Sequence, residues 1–367
     1  MAILAVNAGS SSVRFAAFEK KRNGVGKIAS RKYALDESSS SILKTFLRDN
    51  GIYEISAVAH RVVHGGTKFS HSCLINPSVE SEIDKLSSLA PLHNPFALNW
   101  IRMCRAEFGD HVPQVAVFDT AFYAALSEVS MTYALPADLM KKHHIRRYGF
   151  HGIAHSAMWK RWKELHPHLK DSRLISLQLG AGCSITAVRD GKVLDTSMGF
   201  SPLEGLVMAT RSGDIDPGII LHLGRSCGLS FDEIETMLNH SSGLLGVSGI
   251  SSDMKALLES SHPDASRAID LFCYRAKKYL GAYLAVLQGA DAVLFGGGIG
   301  ENAPKVRENI LEGMQWTGIF LDTQANNATM GTEGCISLNK SKPAVWVIPA
   351  DEASVLAEEA VSIVCQT

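Results

Sequence analysis

The chain of 367 residues has no surplus of either charge, since 36 Lys and Arg stand against 37 Asp and Glu. Nothing global draws it to a phosphate backbone or an anionic membrane, so a nucleic-acid or membrane partner would need a local patch. Its seven cysteines (Cys73, Cys104, Cys183, Cys227, Cys273, Cys335, Cys365) are odd in number and lack CxxC spacing. That fits neither a disulfide framework nor a zinc site, and they read as reduced thiols. No apolar run approaches the roughly 18 residues that span a bilayer; the nearest is Gly281 to Leu287. The start Met1-Ala2-Ile3-Leu4-Ala5-Val6 reaches Asn7 before a signal-type apolar stretch of about 7 residues builds up. A soluble, cytoplasmic protein is expected. Missing too are the Walker A pattern, GxxxxGK followed by Ser or Thr, and the HRD loop of protein kinases. With 46% hydrophobic and 20% charged residues the composition excludes disorder. The length suits two domains or one large one.

What is present is glycine in particular places. Ala2 to Val6 is apolar, Asn7-Ala8-Gly9-Ser10-Ser11-Ser12 is a small-residue turn, and Val13 to Phe18 resumes the apolar pattern. The design recurs as Leu174 to Leu179, Gly180-Ala181-Gly182-Cys183-Ser184, and Ile185 to Val188. Each reads as strand, turn, strand. With Gly9 laid on Gly182, the copies are either coincidental hairpins or the openings of two related domains. A third glycine run, Gly296-Gly297-Gly298-Ile299-Gly300-Glu301-Asn302, lies between the apolar Ala292 to Phe295 and a helical Pro304 to Met314. Helical spacing also marks Ala265 to Leu287, Pro95 to Phe108 and Phe231 to Asn239, while Gln114 to Phe118 and Val345 to Ile348 read as strands. An α/β architecture follows.

Glycine and serine loops between strands offer backbone N–H groups to phosphate without an obstructing Cβ, so three of them suggest a polyphosphate ligand. The run Gly298-Ile299-Gly300-Glu301-Asn302-Ala303 also matches GxGxxA, with Asp322 placed as a ribose acid, so a dinucleotide-dependent dehydrogenase is a competing reading. Polar residues beside glycine, proline or strand ends discriminate better: Arg61, His93, Asp119, His151 and Arg211. Together they could surround a transferring phosphoryl group with cations and imidazoles. Glu352, after the strand Val345 to Ile348, is placed to serve Mg²⁺.

Several long segments then resemble the acetate kinase family, acetate and propionate kinases together, from end to end. They are Val6-Asn7-Ala8-Gly9-Ser10-Ser11-Ser12, His60-Arg61-Val62-Val63-His64-Gly65-Gly66, Phe118-Asp119-Thr120-Ala121-Phe122, Tyr148-Gly149-Phe150-His151-Gly152, Asp195 through Gly205, and Gly298 through Asn302. The resemblance implies two ribonuclease-H-like α/β domains of the actin, sugar-kinase and heat-shock-chaperone ATPase type, with an interdomain active-site cleft. Residues 1–121 plus 354–367 would form the first domain, and 122–353 the nucleotide-binding second. It implies Mg²⁺-dependent, reversible phosphoryl transfer from ATP to acetate by direct in-line attack, with Mn²⁺ as a possible substitute, and a homodimer. Propionate or another short acid, another phosphoryl donor, or a non-catalytic nucleotide-binding module are the alternatives.

Carried over by position, the resemblance makes Asn7 and Glu352 the metal-side residues, and Ser10, Ser12 and Arg14 phosphate contacts. Arg61 and Arg211 are its carboxylate and transition-state arginines, and His151 and His93 its imidazoles. Val63, Leu92, Phe150 and Pro202 are its acyl-methyl pocket. The nucleotide would meet Gln178, Leu179, Gly180, Ala181 and Gly182; Asp253, Met254 and Lys255; and Gly298, Ile299, Gly300, Glu301 and Asn302. Asp119 is the essential carboxylate. Acetate, with a pKa of roughly 4 to 5, is already ionised at neutral pH and needs no general base, so Asp119 is expected to orient an arginine or the hydrated metal. Gln178 and Ala181 stand where the family usually has His and Asn, Arg14 where it has Lys, Tyr123 where it has His, and Lys255 where it has Arg. Looser ATP binding is expected from these departures.

Overall fold

Apolar residues on both faces of Ala2–Ala8 make it a strand buried on two sides, and the first sheet is built outward from it. The computed structural model describes residues 1–9, 12–22, 24–34, 39–91 and 93–365. It separates into unit 1, Met1–Ala124 with Phe150–Ala157 and Asp351–Thr367, and unit 2, Ala125–Gly149 with Met158–Ala350.

In unit 1 the strands are β1 (Ala2–Ala8), β2 (Ser12–Lys21), β3 (Gly24–Ala34), β4 (Ile55–Val62), β5 (Cys73–Leu74) and β6 (Gln114–Phe118), ordered β3-β2-β1-β4-β6-β5. Side chains on β1 alternate between two cores, as a period of two requires. Leu4, Val6 and Ala8 join Phe46, Trp100 and Cys104 from helices Ser39–Asp49 and Asn94–Phe108. Ile3 and Ala5 join Ile153, Val355, Leu356 and Ala360 from helices Gly152–Leu165 and Glu352–Val364. Phe15 anchors the first core, edge-on to Trp100 at 5.0 Å and tilted against Phe46 at 5.6 Å. Truncating so enclosed an aromatic costs about 3–5 kcal/mol.

Unit 2 contains β7 (Arg173–Leu179), β8 (Cys183–Arg189), β9 (Lys192–Thr196), β10 (Ala292–Gly296), β11 (Gly334–Cys335) and β12 (Ala344–Val347). Its order, β9-β8-β7-β10-β12-β11, repeats that of unit 1 strand for strand. The two hairpins at one edge are antiparallel, the central pairs parallel, and the short last strand antiparallel in both sheets. The long helix Pro263–Leu287 buries Ile269, Phe272, Ala276, Leu280 and Leu287, the face its spacing predicts.

The repeat is therefore real, but its register differs from the Gly9-on-Gly182 alignment. Ala8 pairs with Val13 and Leu179 with Cys183. Gly9 thus corresponds to Gly180, and the second turn is one residue shorter. Cys183 and Ser184, expected in the turn, are strand residues. Likewise 297–302, expected as an open loop, closes into a short helix. Among the described residues no helix is long and apolar enough to cross a membrane.

Candidate active site

Parallel pairing brings the carboxyl ends of β1, β4 and β6 together, where open α/β sheets bind ligands. Val6 pairs with His60 and Arg61 with Val117, so Asn7, Arg61 and Asp119 emerge side by side. Arg61 donates through Nε and Nη2 to Asp119 Oδ2 at 3.0 and 2.5 Å, and through Nη1 to Asn7 Oδ1 at 3.1 Å. Asn7 Nδ2 donates to Glu352 Oε2 at 2.5 Å, and that oxygen lies 3.7 Å from Arg61 Nη1. The Asp119 side chain is 1% exposed and that of Arg61 17%. Burial pushes the Asp119 carboxyl upward and Glu352 adds to that, while Arg61 opposes it. Burial alone would weaken the Arg61 charge, but Asp119 and Glu352 outweigh it and hold the guanidinium protonated.

Asp119 Oδ1 also accepts from Ile153 N–H at 3.4 Å, at the start of helix Gly152–Leu165. The residue between them must be glycine: a Cβ on Gly152 would lie 2.0 Å from the Asp119 carbonyl oxygen. His151, immediately before, has φ +59°, a left-handed conformation costly for a residue with a side chain. Phe150 is buried, faces the His64 ring edge-on at 5.6 Å, and its carbonyl accepts from Tyr123 Oη at 2.6 Å. Val63 is buried next to His64, whose main chain is gripped by Asn94 at 3.1 and 3.0 Å. His93 occupies the N-cap position of helix Asn94–Phe108, without a side-chain capping bond to that helix. Ser12 begins β2, its carbonyl accepting from Gly9 N–H at 2.8 Å, and Arg14 is exposed on the same strand. Ser10 and Leu92 lie outside the described residues.

Unit 2 solves its strand ends differently. Gln178 pairs with Gly296 across β7 and β10, and β7 ends at Leu179. The turn is closed by Gly180 N–H to Gly182 O at 3.1 Å, and Ala181 O accepts from Ala209 N–H at 3.0 Å. Gly297 has φ +77°, and a Cβ there would lie 2.6 Å from Leu179 O. Beside Gly298 nothing lies within 4 Å of an added Cβ, which leaves room for a ligand against the backbone. Gln178 Oε1 is buried without a hydrogen-bond partner. Glu301 turns its carboxylate inward, accepting from Gly297 N–H at 2.9 Å and Ala350 N–H at 3.2 Å, and Asn302 Nδ2 donates to Gly298 O at 2.9 Å. Ile299 and Gly300 complete this short helix.

Arg211 Nη1 donates to Pro202 O at 3.1 Å. Asp253 caps helix Met254–Glu259 through Ala256 N–H at 2.9 Å, Met254 is buried, and Lys255 is exposed. Asp322, the ribose acid of the dehydrogenase reading, instead caps helix Thr323–Ala328.

Two groups escaped the sequence reading. Arg307 is fully buried and donates to Gly300 O, Glu301 O, Thr329 O and both oxygens of Asn326, at 2.7–3.1 Å. These carbonyls end the short helices Gly297–Asn302 and Thr323–Ala328, which the cation complements. Its place on the apolar face with Ala303, Ile310 and Leu311 was the available signal. Tyr133, Arg147 and Glu204 form the other group, and nothing local connects residues 71 apart.

Hard oxygen donors from Asn7 and Glu352 suit Mg²⁺, which takes one or two carboxylates and keeps the rest of its shell for water and phosphate. Among the described residues no three His, Cys, Asp or Glu converge on one metal position.

A model described as the acetokinase family matches residues 18–358. Acetate kinase of Halothermothrix orenii is 42% identical over 99% of this chain and all of its own length. That of Bacillus subtilis is 41% identical over 98% and 99%. Among solved structures, Porphyromonas gingivalis acetate kinase (36% identical) and a Francisella tularensis propionate kinase (38%) each give a TM-score of 0.89 over 99% of both chains.

Proposed function

The chain belongs to the acetokinase family and is a kinase that transfers phosphate to a carboxylate, and from that premise we propose how its residues carry the reaction of ATP with acetate. The observation that carries the reading is the Arg61 cluster: a permanent cation fixed by a buried carboxylate at the ends of parallel strands.

Arg61 faces the acetate carboxylate, and Asp119, holding Nε and Nη2, sets the plane of the guanidinium. Val63, Phe150 and Pro202 take the methyl group, joined by Leu92. Arg211 and His151 stabilise the charge that spreads over the transferring phosphoryl, with His93 as a second imidazole. An acetate oxygen attacks the γ-phosphorus in line; the new O–P bond forms as the bond to the β,γ-bridging oxygen breaks, and ADP keeps that electron pair. Acetate arrives ionised, so no proton moves. Asn7 and Glu352 would hold Mg²⁺, or Mn²⁺, which neutralises polyphosphate charge when bound. Ser10, Ser12, Arg14, the 178–182 turn, the 253–255 segment and the 298–302 helix serve the nucleotide. Open space at Gly298 supports that placement.

The same reading takes 1–121 with 354–367 as one ribonuclease-H-like domain and 122–353 as the other, supported by the duplicated strand order. A cytoplasmic homodimer rests on the family resemblance. Purified protein with acetate, MgATP and hydroxylamine should give acetate-dependent hydroxamate; ATP binding without product would leave only a nucleotide-binding module. Propionate in the same assay tests the second acceptor, to which the propionate kinase likeness points.

A further inference from the structure

Within unit 2, the segment from Thr196 to Gly205 folds around one polar group. Arg147 Nη2 donates to Glu204 Oε1 at 2.6 Å, while its Nη1 reaches Thr196 O and Met198 O, each at 3.1 Å. Tyr133 Oη donates to Glu204 Oε2 and accepts from Phe200 N–H at 2.8 Å. Gly199 sits in the notch: a Cβ there would meet both Glu204 Oε2 and Tyr133 Oη. The carbonyl of Gly199 takes the Tyr148 N–H at 3.0 Å. One residue past the triad, Gly205 N–H donates to Asp214 Oδ1 at 2.8 Å, and Tyr279 Oη holds Asp214 Oδ2 at 2.7 Å.

Pro202 lies in the middle of this fixed segment, and its carbonyl oxygen is the acceptor that Arg211 Nη1 finds at 3.1 Å. The triad therefore sets the position of one apolar side chain and, through the Pro202 carbonyl, the direction of one guanidinium. We infer that Tyr133, Glu204 and Arg147 are positioning residues that orient Arg211 and set acyl-chain selectivity at Pro202. The inference rests on the reading of Arg211 and Pro202 as substrate-facing groups. Two carbonyls, an amide N–H and a carboxylate converge on two side chains, so the loss of one hydroxyl loosens the segment without emptying a core.

The test measures kcat and KM for acetate and propionate at saturating MgATP, with thermal unfolding as a check. The proteins are wild type, Tyr133→Phe, Glu204→Gln, Arg211→Lys, Arg211→Ala and the double variant Tyr133→Phe/Arg211→Lys. Tyr133→Phe should keep the fold and the ATP KM, lose about 10- to 100-fold in kcat, and shift the acetate-to-propionate ratio of kcat/KM at least about threefold. Glu204→Gln should move the same ratio in the same direction. The double variant should fall little below Arg211→Lys alone, because both changes remove one function; a purely structural tyrosine would give multiplied losses. Wild-type rates and ratio in Tyr133→Phe, beside an impaired Arg211→Lys, would overturn the inference alone, as would multiplied losses. Wild-type turnover in Arg211→Lys and Arg211→Ala would overturn the kinase role of that arginine and this inference with it.

Discussion

The two sheets share one strand order and arm it with opposite chemistry. At the tips of β1 and β4, unit 1 carries Asn7 and Arg61, with Asp119 just beyond β6. The register-equivalent positions in unit 2 are Gln178 and Gly296, with Ala350 beyond β12. Where unit 1 places an arginine held by a carboxylate, unit 2 has a glycine, and the neighbouring backbone N–H groups of Gly297 and Ala350 are tied together by the Glu301 carboxylate. A duplicated frame thus does not duplicate a site. On the proposed reading, one half would recognise its ligand through charged side chains and should be sensitive to losing an atom. The other would recognise through main chain and should be sensitive to gaining one.

Arg61→Ala attacks the first kind and should have the largest effect. Turnover should fall about a thousandfold or more and the acetate KM should rise, since on the proposed reading the cation serves both ground and transition states. Asp119 would be left buried without its partner, costing roughly 3–5 kcal/mol, read by denaturant unfolding. Its carboxyl, already pushed upward by burial, would rise further. The folded variant then holds a proton that the unfolded chain releases near the ordinary carboxylate pKa of about 3.9. Its stability should therefore fall as pH rises above that value, and the gap to wild type should narrow on acidification. A gap that widens in acid would break the account of the cluster.

Gly297→Ala is the matching experiment in unit 2. With φ +77° and a Cβ 2.6 Å from Leu179 O, the turn must shift. ATP binding, followed by titration calorimetry, should weaken about a hundredfold, whereas the acetate KM should hardly move. Equal losses for both substrates would erase the division of labour between the units.

Val63→Ala sharpens the side-chain half. An added methylene's room is worth roughly 1–3 kcal/mol, so propionate should gain about tenfold on acetate in kcat/KM. An unchanged ratio would return Val63 to the core. Ala181→Asn sharpens the main-chain half: one side-chain hydrogen bond to a charged phosphate, worth roughly 1.5–3 kcal/mol, should lower the ATP KM at least about tenfold. A donor panel with GTP and pyrophosphate should show wild type as the less selective protein.

Much of this was legible from residues alone, because small-residue turns between apolar runs leave few choices. The hairpins at Gly9 and Gly180, the helix Pro263–Leu287 and the α/β class all follow from local patterns. The hairpin repeat could be read too, but a gap-free alignment cannot register a turn shortened by one residue, and it misplaced Gly9. The 297–302 run looked like a loop because glycine disfavours helix, yet Glu301 and Arg307 close it from both ends. Asn7 and Glu352 are 345 residues apart, and Arg61 and Asp119 are 58 apart. Only a family resemblance could nominate such pairs, and it could not supply their hydrogen bonds.

The helix Glu352–Val364 has a consequence for how the protein is made. Val355, Leu356, Ala357 and Ala360 pack with Ile153 and Ala157 against Ile3, Ala5, Ala57, Ala59 and Val117 on one face of the first sheet. On a ribosome, every strand of that sheet emerges more than 200 residues before the helix that covers it. Unit 2, all of whose strands and long helix precede Ala350, can complete its interior while the earlier-made sheet still exposes an apolar surface. The last part of this face of β1, β4 and β6 is therefore covered only when the final helix has been made, and that stretch is expected to be the one most exposed to aggregation during synthesis.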